Sequence, residues 1–491
     1  MPAEPVDVVV VGAGITGLTT ARLLAAEGMG VAVVDAGPVA AGVTGYTTAK
    51  VSALQRTTVS EIARRHGRER AATYAQANRA AVDMVATLVA EDGIECDLER
   101  ASACTYAEQA DQVAAVEAEG EELRAAGLPA RLDVGTELPF PVTAAVWLDD
   151  QLQFHPRRYC LGLAMAVAAR GGIVLDGTRV VGVEEDDGAC RIETDRGPLR
   201  SRHVVLATHL PFPKAGAYFA RAHPYRSYAL AARIGGERPK GMYINVGSPT
   251  RSVRSTADCW TVIGGEGHKV GQDDDTRQRY ADLEAWARQH YDVQEIGYRW
   301  SAQDHESVDG VPYVGRLSDR HRRVWVGTAF RKWGMSNGTA AAMILTDLIL
   351  GRDNPWAAAF DSRRRAPKAS LKTLVSENLN VGKRFVADRV LARSAPPASG
   401  LAPGEGGIVD LDGTTVAAYR DEQGRLHAVA PTCTHLGCRV SFNTAERSWD
   451  CPCHGSRFDI QGRVIEGPAV EDLAVASGRT GPPAIRQDPR L

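Results

Sequence analysis

The sequence predicts a multidomain chain of α/β (α+β) class that ends in a small all-β module. Three stretches predict it. A short apolar run near the N-terminus leads into a glycine-rich turn and an amphipathic helix. Residues 215 to 300 alternate apolar and polar side chains between turn signals, which is the period of antiparallel strands. Two loops near the C-terminus carry Cys and His residues and are framed by short β-prone runs.

The chain has 491 residues, 44% of them hydrophobic, and a net charge of −3. That length accommodates roughly two or three domains with ample core. Near-neutral charge gives no basis for nucleic-acid binding or a polybasic membrane contact. The apolar runs are too short for a transmembrane helix, so no membrane insertion is expected. The N-terminus enters a strand almost at once without a signal-peptide pattern, and the expected location is cytoplasmic. Four of the nine cysteines lie in the C-terminal loops. Cys96, Cys104, Cys160, Cys190 and Cys259 are scattered and read as buried thiols.

Val6 to Val11 reads as a buried parallel strand. Gly12, Gly14 and Gly17 follow, then a helix from Leu18 to Ala26 closed by Gly28, a strand from Val31 to Val34, and Asp35 at its end. Strand, glycine turn, helix, strand and acid in this order make a Rossmann-like nucleotide site. Gly12 permits the tight turn, Gly14 the approach of a pyrophosphate, and Gly17 close helix–strand packing. The helix N-terminus at Ile15 and Thr16 offers free N–H groups and positive dipole to the phosphates. Asp35, followed by Ala36, would accept hydrogen bonds from the adenosine ribose.

Gly42 to Lys50 is a hydroxyl-rich turn containing Gly45, Thr47 and Thr48. It resembles the loop that wraps the flavin pyrophosphate and ribityl chain in D-amino-acid-oxidase-like, glycine/sarcosine-oxidase-like flavoproteins. The resemblance implies FAD rather than NAD. Val180 falls where a backbone group of that family holds adenine. Val204 to His209 resembles the strand that returns to FAD, with Ala207 and Thr208 at its end; His209 is given no role. Asp309 to Gly315, and the run from Val324 through Gly334, Met335 and Ser336 into an Ala-rich helix, resemble the family's second flavin box. A helix N-terminus there would stabilise negative charge on the flavin's pyrimidine end. No Cys stands near Ala302, where some relatives attach flavin, so the FAD is expected to be non-covalent.

Between these boxes, residues 57 to 130 read as scaffold helices. Pro156 begins another helix, ending before Gly171-Gly172, with His155 as a structural or entrance residue. Ile173 to Val183 is β-rich. The antiparallel region would place one face over the flavin. Tyr225, Tyr243, Trp260, His268, Trp300, Gln303 and Lys332 are the pocket candidates, and the catalytic residues are unknown. Gly264-Gly265-Glu-Gly-His268 is too glycine-rich for a plain strand and reads as a loop near a ligand.

Cys433-Thr-His435-Leu-Gly-Cys438 and Cys451-Pro-Cys453-His454-Gly-Ser456 each offer a Cys and a His, plus a second Cys. Thiolate and imidazole together suit zinc or an iron–sulfur centre. A structural Cys2His2 zinc site leaves the second cysteine pair unexplained. Both boxes resemble, residue for residue, the Rieske proteins of quinol-oxidising respiratory and photosynthetic complexes. The resemblance implies a [2Fe–2S] cluster with Cys433 and Cys451 on one iron and His435 and His454 on the other. It also implies a disulfide between Cys438 and Cys453, and a hydrogen bond from Ser456 to a cluster sulfur. Gly467-Pro468-Ala469 matches the family's proline loop over the cluster. Rieske oxygenases usually lack the second cysteine pair, and no two-His, one-carboxylate iron site is legible.

The expected division is an FAD-dependent oxidoreductase over 1–360, a basic, Pro-containing linker over 361–400, and a Rieske domain over 401–491. Within the first, FAD-binding parts span about 1–56, 150–214 and 300–360, and substrate parts about 57–149 and 215–299. Ile408 to Tyr419 and Leu426 to Val429 read as strands, with a turn at Asp412-Gly413. The expected function is oxidation of a small amine or amino-acid-like substrate, with electrons passing from FAD to the cluster and on to an unknown acceptor. Two alternatives stand beside it. An external donor feeds the cluster, which reduces FAD for a reductive or oxygen-using step; or the chain is a non-catalytic electron carrier.

High-potential Rieske relatives carry a Tyr two residues after the loop Ser, whereas this chain has Phe458. Hydrogen bonds to cluster sulfur stabilise the reduced form, so the potential should lie in the range of roughly −150 to +300 mV but short of its top. Redox titration measures it directly. Acid precipitation should release the flavin into the supernatant; flavin retained in the pellet would contradict the non-covalent reading.

Overall fold

The computed structural model describes residues 4–186, 188–271, 275–365 and 395–476. Val6–Val11 forms the middle of an eight-stranded sheet. The order runs Tyr313–Arg316, Val324–Thr328, Leu199–Leu206, Val6–Val11, Val31–Val34, Ile173–Leu175. Along this path all neighbours run parallel except Tyr313–Arg316, which joins antiparallel at the edge; Val180–Glu185 and Cys190–Thr194 complete the sheet as an antiparallel pair added to Leu199–Leu206. A parallel sheet must be covered on both faces. Val8 and Val10 accordingly pack with Leu18, Leu24 and Ile344, while Val9 and Val11 pack with Leu206 and Val326 on the other side. The helices Ile15–Ala26, Pro156–Ala169 and Gly334–Ile349 lie together over the first face.

The glycine turn is shaped by close approach. Gly12 has φ +112°, and a Cβ there would lie 2.4 Å from the Ala207 carbonyl oxygen. A Cβ on Gly17 would lie 1.9 Å from the carbonyl oxygen of Gly12 itself. Helix and strand thus meet with no room for side chains, which brings the helix N-terminus to the carboxyl end of the sheet.

The second sheet has nine strands. Its order is Val293–Ser307, Ala222–Ile234, Thr261–Lys269, Arg251–Ser255, Met242–Asn245, Glu99–Ala107, Ala144–Gln153, Lys50–Val51. Four corrections to the sequence reading arise in this part of the chain. Residues 57–130 contain the helices Thr58–His66, Arg68–Asp92 and Val113–Ala125, but also the strand Glu99–Ala107. That strand pairs with Met242–Asn245 and Ala144–Gln153, so distant partners supply what its own Ala-containing sequence does not signal. Gly264 to His268 belongs to the strand Thr261–Lys269, not to a loop. Its glycines admit neighbours: a Cβ on Gly265 would lie 2.4 Å from the Thr250 carbonyl, and one on Gly267 2.7 Å from the Tyr225 ring. Cys259, expected to be buried, is exposed, whereas Cys96, Cys104, Cys160 and Cys190 are buried. The helix Thr276–His290, also not anticipated, packs on this same sheet. His155 caps the helix Pro156–Ala169, its ring accepting from the Arg158 N–H.

Residues 395–476 build two small antiparallel sheets. One joins Gly406–Leu411, Thr414–Arg420 and Leu426–Val429, with the Asp412-Gly413 turn where it was expected. The other joins Ser441–Asn443, Ser448–Asp450, Arg457–Asp459 and Val464–Glu466. Most of the basic linker expected over 361–400 lies outside the described residues. Among the described residues, no helix is long and apolar enough to cross a membrane.

This module docks on the strands Ala222–Ile234 and Val293–Ser307 through buried charge. Arg226, 1% exposed, donates to Ser301 Oγ at 2.9 Å and Gln303 Oε1 at 3.2 Å in its own sheet. Across the seam it donates to Asp450 Oδ2 at 2.9 Å and Glu446 Oε2 at 3.2 Å. Arg457 grips the same two acids from within the module. Gly455 comes so close that a Cβ would lie 2.6 Å from Gln303 Nε2, and Gln303 donates to its carbonyl at 2.7 Å. Arg226→Ala should lower stability by roughly 3–5 kcal/mol, because buried carboxylates lose their cross-seam partner. Equilibrium denaturation of the whole chain measures it.

Candidate functional site

The carboxyl ends of the parallel strands open into a cavity of about 430 Å³. Gly12, Gly14, Ile15 and Thr16 line it from the glycine turn, Asp35 and Ala36 from the next strand end, and Thr47 and Thr48 from the hydroxyl-rich turn. Val180, Ala207, Thr208, Gly334 and Met335 also reach it. Segments scattered over the first three hundred and more residues therefore converge on one space. The Asp35 carboxylate accepts from the N–H groups of Ala13 at 2.6 Å and Gly37 at 2.8 Å, which fixes its direction. Burial raises its pKa, and those two bonds oppose the rise. Gly334 and Met335 begin the helix Gly334–Ile349, so unpaired N–H groups and positive dipole face the cavity.

Four of the expected cofactor residues do not line the cavity. Gly17 underlies the turn, and a Cβ on Gly45 would meet the Ala40 carbonyl at 2.2 Å. Gly315 stands beside Ser362. Ser336 donates to the Ser52 carbonyl and accepts from Gln55, both at 2.9 Å.

Of the pocket candidates, Trp300, Gln303 and Lys332 line the cavity. Tyr225 reaches it through Lys332, whose ammonium sits 3.8 Å over its ring. The Lys332 ammonium is also 3.8 Å from Glu306 Oε1. Burial lowers the Lys332 pKa, and Glu306 and Asp304 oppose that. Tyr243 instead bonds Glu137 at 3.1 Å, and Trp260 lies under Arg233 and against Tyr298. His268 pairs with the hydroxyl of Tyr228 at 2.9 Å, and it is Tyr228 that lines the cavity.

The two Cys/His loops are built alike. Cys433 N–H donates to the Cys438 carbonyl, and Cys451 N–H to the Ser456 carbonyl, both at 2.8 Å. Gly437 and Gly455, at φ +79° and +81°, occupy the same place in each and donate back to the first Cys carbonyl at 3.0 Å. Cys438 and Cys453 are joined as a disulfide across the loops. The Sγ atom of Cys451 lies within 4.8 Å of theirs, but bonded sulfurs offer no thiolate. Cys433, His435, Cys451 and His454 remain as the donor set. The rings of His435 and His454 are 5.0 Å apart, and each Nδ1 is buried without a hydrogen-bond partner. Such orphaned lone pairs are what a metal ligand requires. Burial pushes His435 down to about 4 and His454 down to about 3, so both imidazoles are neutral. A hydrogen bond from the Cys451 thiol and backbone N–H donors bring Cys433 down to about 7 against burial, while Cys451 is pushed up. Two soft sulfurs and two imidazoles fit a [2Fe–2S] centre of mixed ligation.

The loops and the cavity share a wall. Val464 to Val470, with Gly467, Pro468 and Ala469 at its middle, lines the cavity opposite the glycine turn. The Ala469 N–H donates to Ser456 Oγ at 3.0 Å, so the other side of this segment supports the second Cys/His loop. Phe219, from the larger domain, packs edge-on to His435 and His454 with ring centroids 6.0 and 5.4 Å away. Sequence reasoning did not find Phe219, Arg226, His209 or Glu466. Their partners across the two domains lie more than two hundred residues away, and no local pattern marks such pairs.

The family model described as FAD dependent oxidoreductase matches residues 7–348, and that of the Rieske [2Fe-2S] domain matches residues 394–477. YhfW of Bacillus subtilis (strain 168), named as a Rieske 2Fe-2S iron-sulfur protein, is 34% identical over 473 residues, 95% of this chain and 92% of its own. The chloroplast cytochrome b6-f complex iron-sulfur subunit of Pisum sativum is 43% identical over 96 residues, 20% of this chain and 40% of that protein. Among solved structures, glycine oxidase from Geobacillus kaustophilus matches with a TM-score of 0.65 at 17% identity, over 74% of this chain and 100% of its own. L-proline dehydrogenase from P. horikoshii matches at 0.62 and 18%, over 74% and 98%. These last two establish the fold of the larger part alone.

Proposed function

Because this chain belongs to the FAD-dependent oxidoreductase family and carries a Rieske [2Fe–2S] domain, we propose that it oxidises a small amine or amino-acid-like substrate and delivers the electrons through both cofactors to an external acceptor. When bound, FAD accepts an electron pair from a C–H carbon and the cluster carries electrons singly. The observation that carries the reading is the shared wall: the glycine turn and the Val464 to Val470 segment, whose Ala469 supports the second Cys/His loop, line one cavity.

The chain's own residues divide the work as follows. Gly14 and Thr16 would hold the FAD pyrophosphate with backbone N–H groups, since those of Gly12 and Ile15 are given to the Val34 carbonyl and to Thr44 Oγ1, and Asp35 would take the ribose. Thr47 and Thr48 offer hydroxyls along the cavity. The helix beginning at Gly334 and the ammonium of Lys332 set positive potential at the far end, where negative charge is favoured on reduction. Tyr228, Trp300 and Gln303 wall the space left for substrate. Cys433, His435, Cys451 and His454 would hold the cluster, beside Ser456, whose Oγ accepts from the Ala469 N–H of the Gly467–Ala469 segment. Phe219 covers both histidine rings and keeps water from that edge.

Anaerobic mixing with a panel of small amines and amino acids should bleach the flavin band and then reduce the cluster, followed at both absorbances. A panel that leaves both bands oxidised, under conditions where dithionite reduces each, would rule out this substrate class.

A further inference from the structure

His209 lines the same cavity and has no part in the scheme above. It follows the strand Leu199–Leu206 with φ 66°, a conformation costly for a residue with a Cβ. Its carbonyl accepts a hydrogen bond from Thr328 Oγ1, which anchors the backbone there. The ring lies between the two domains. Nε2 is 2.9 Å from Asp304 Oδ1 on the strand Val293–Ser307. Nδ1 is 2.7 Å from Glu466 Oε1 on Val464–Glu466 of the cluster domain. Both ring nitrogens therefore face carboxylate oxygens. A neutral imidazole donates from one nitrogen only, so the two contacts are satisfied together by the imidazolium.

The segment that His209 grips has two faces. Glu466, Gly467, Pro468 and Ala469 line the flavin cavity, and Ala469 supports the loop of Ser456. His305, edge-on to His209 at 4.6 Å, has its Nε2 3.2 Å from the His454 carbonyl oxygen. One imidazole thus touches the routes to both cofactor sites. Resting on the flavin-to-cluster reading, we propose that His209 is a positioning residue, a charged latch that clamps Glu466 to Ala469 of the cluster domain against the flavin cavity.

The groups facing the latch are Asp304 and His305 on one strand, Lys332 through its amide to Asp304, Glu466, and Arg457, whose Nη1 is 3.9 Å from Glu466 Oε2. Burial disfavours the imidazolium, but Asp304 and Glu466 outweigh it and bring His209 up to about 10. A raised histidine contributes in full below its ordinary value of about 6.5. The contribution is lost as pH climbs through about 10.

The test uses full-length holoprotein, wild type, His209→Gln and Glu466→Gln, matched for flavin and cluster content. 5-Deazariboflavin, photoreduced by EDTA as the sacrificial electron donor, delivers one electron to the protein, and its interchange between flavin and cluster is followed at both absorbances. Each electron leaving one centre arrives at the other. Hydrogen–deuterium exchange over residues 462–472 gives a readout independent of turnover. Both variants should slow the interchange roughly tenfold or more, as expected for small displacements of reacting groups. Both should also exchange faster over 462–472. Wild-type interchange should slow as pH approaches about 10, and that of His209→Gln should not. If His209→Gln keeps the wild-type rate and the wild-type protection, the latch is overturned. If wild-type protein shows no interchange at all, the flavin-to-cluster reading falls instead, and protection of 462–472 alone decides the latch. If His209→Gln does not fold, Glu466→Gln, which removes the carboxylate charge facing Nδ1, carries the same comparison.

Discussion

A guanidinium buried between two sheets must meet carboxylates, and Arg226 has them only if the cluster module sits where it does. Asp450 and Glu446 come from that module, and Ser301 and Gln303 come from the sheet beneath. Desolvating an unpaired charge is prohibitive, so the arrangement is all or none. Asp450 immediately precedes Cys451, and Gln303 holds the carbonyl of Gly455. Fixing Arg226 therefore fixes one Cys/His loop relative to the strand Val293–Ser307. That strand also carries Trp300, Ala302 and Asp304 to the cavity. One ion-paired seam sets the geometry of both cofactor sites.

The cavity wall has a second consequence. A segment of the cluster module replaces what would otherwise be protein of the larger domain or solvent around the nucleotide. The cavity is incomplete in the larger domain alone, because Val464 to Val470 forms part of its lining. The module is equally incomplete alone, because Phe219 covers its histidine rings. Fusion into one chain keeps these surfaces matched. Such mutual covering lowers the exposure of both sites and strengthens electrostatic interactions inside them.

Legibility along the chain followed the range of the contacts involved. The glycine turn, its flanking strands and the Asp412-Gly413 hairpin were readable because each is encoded within a few residues. The strand Glu99–Ala107 was missed because sheet partners, not its own residues, hold it extended. The glycines of Thr261–Lys269 misled for a related reason. They mark places where a carbonyl and an aromatic ring from other strands press close, not a flexible loop. Gly315 and Ser336 sit within the expected flavin box, yet they face Ser362 and Ser52. A motif assigns a segment to a site, whereas side-chain direction depends on packing.

The sequence by itself determined the chemistry. Ligand types, their spacing, the glycine turn and the acid after it are covalent facts, and they select a nucleotide and a cluster before any folding. Tertiary structure alone decided the relation between them. His209 and Glu466 are 257 residues apart, and Arg226 and Asp450 are 224 apart. Buried charges find their partners only after hydrophobic burial has brought distant strands together, and no local pattern records that meeting.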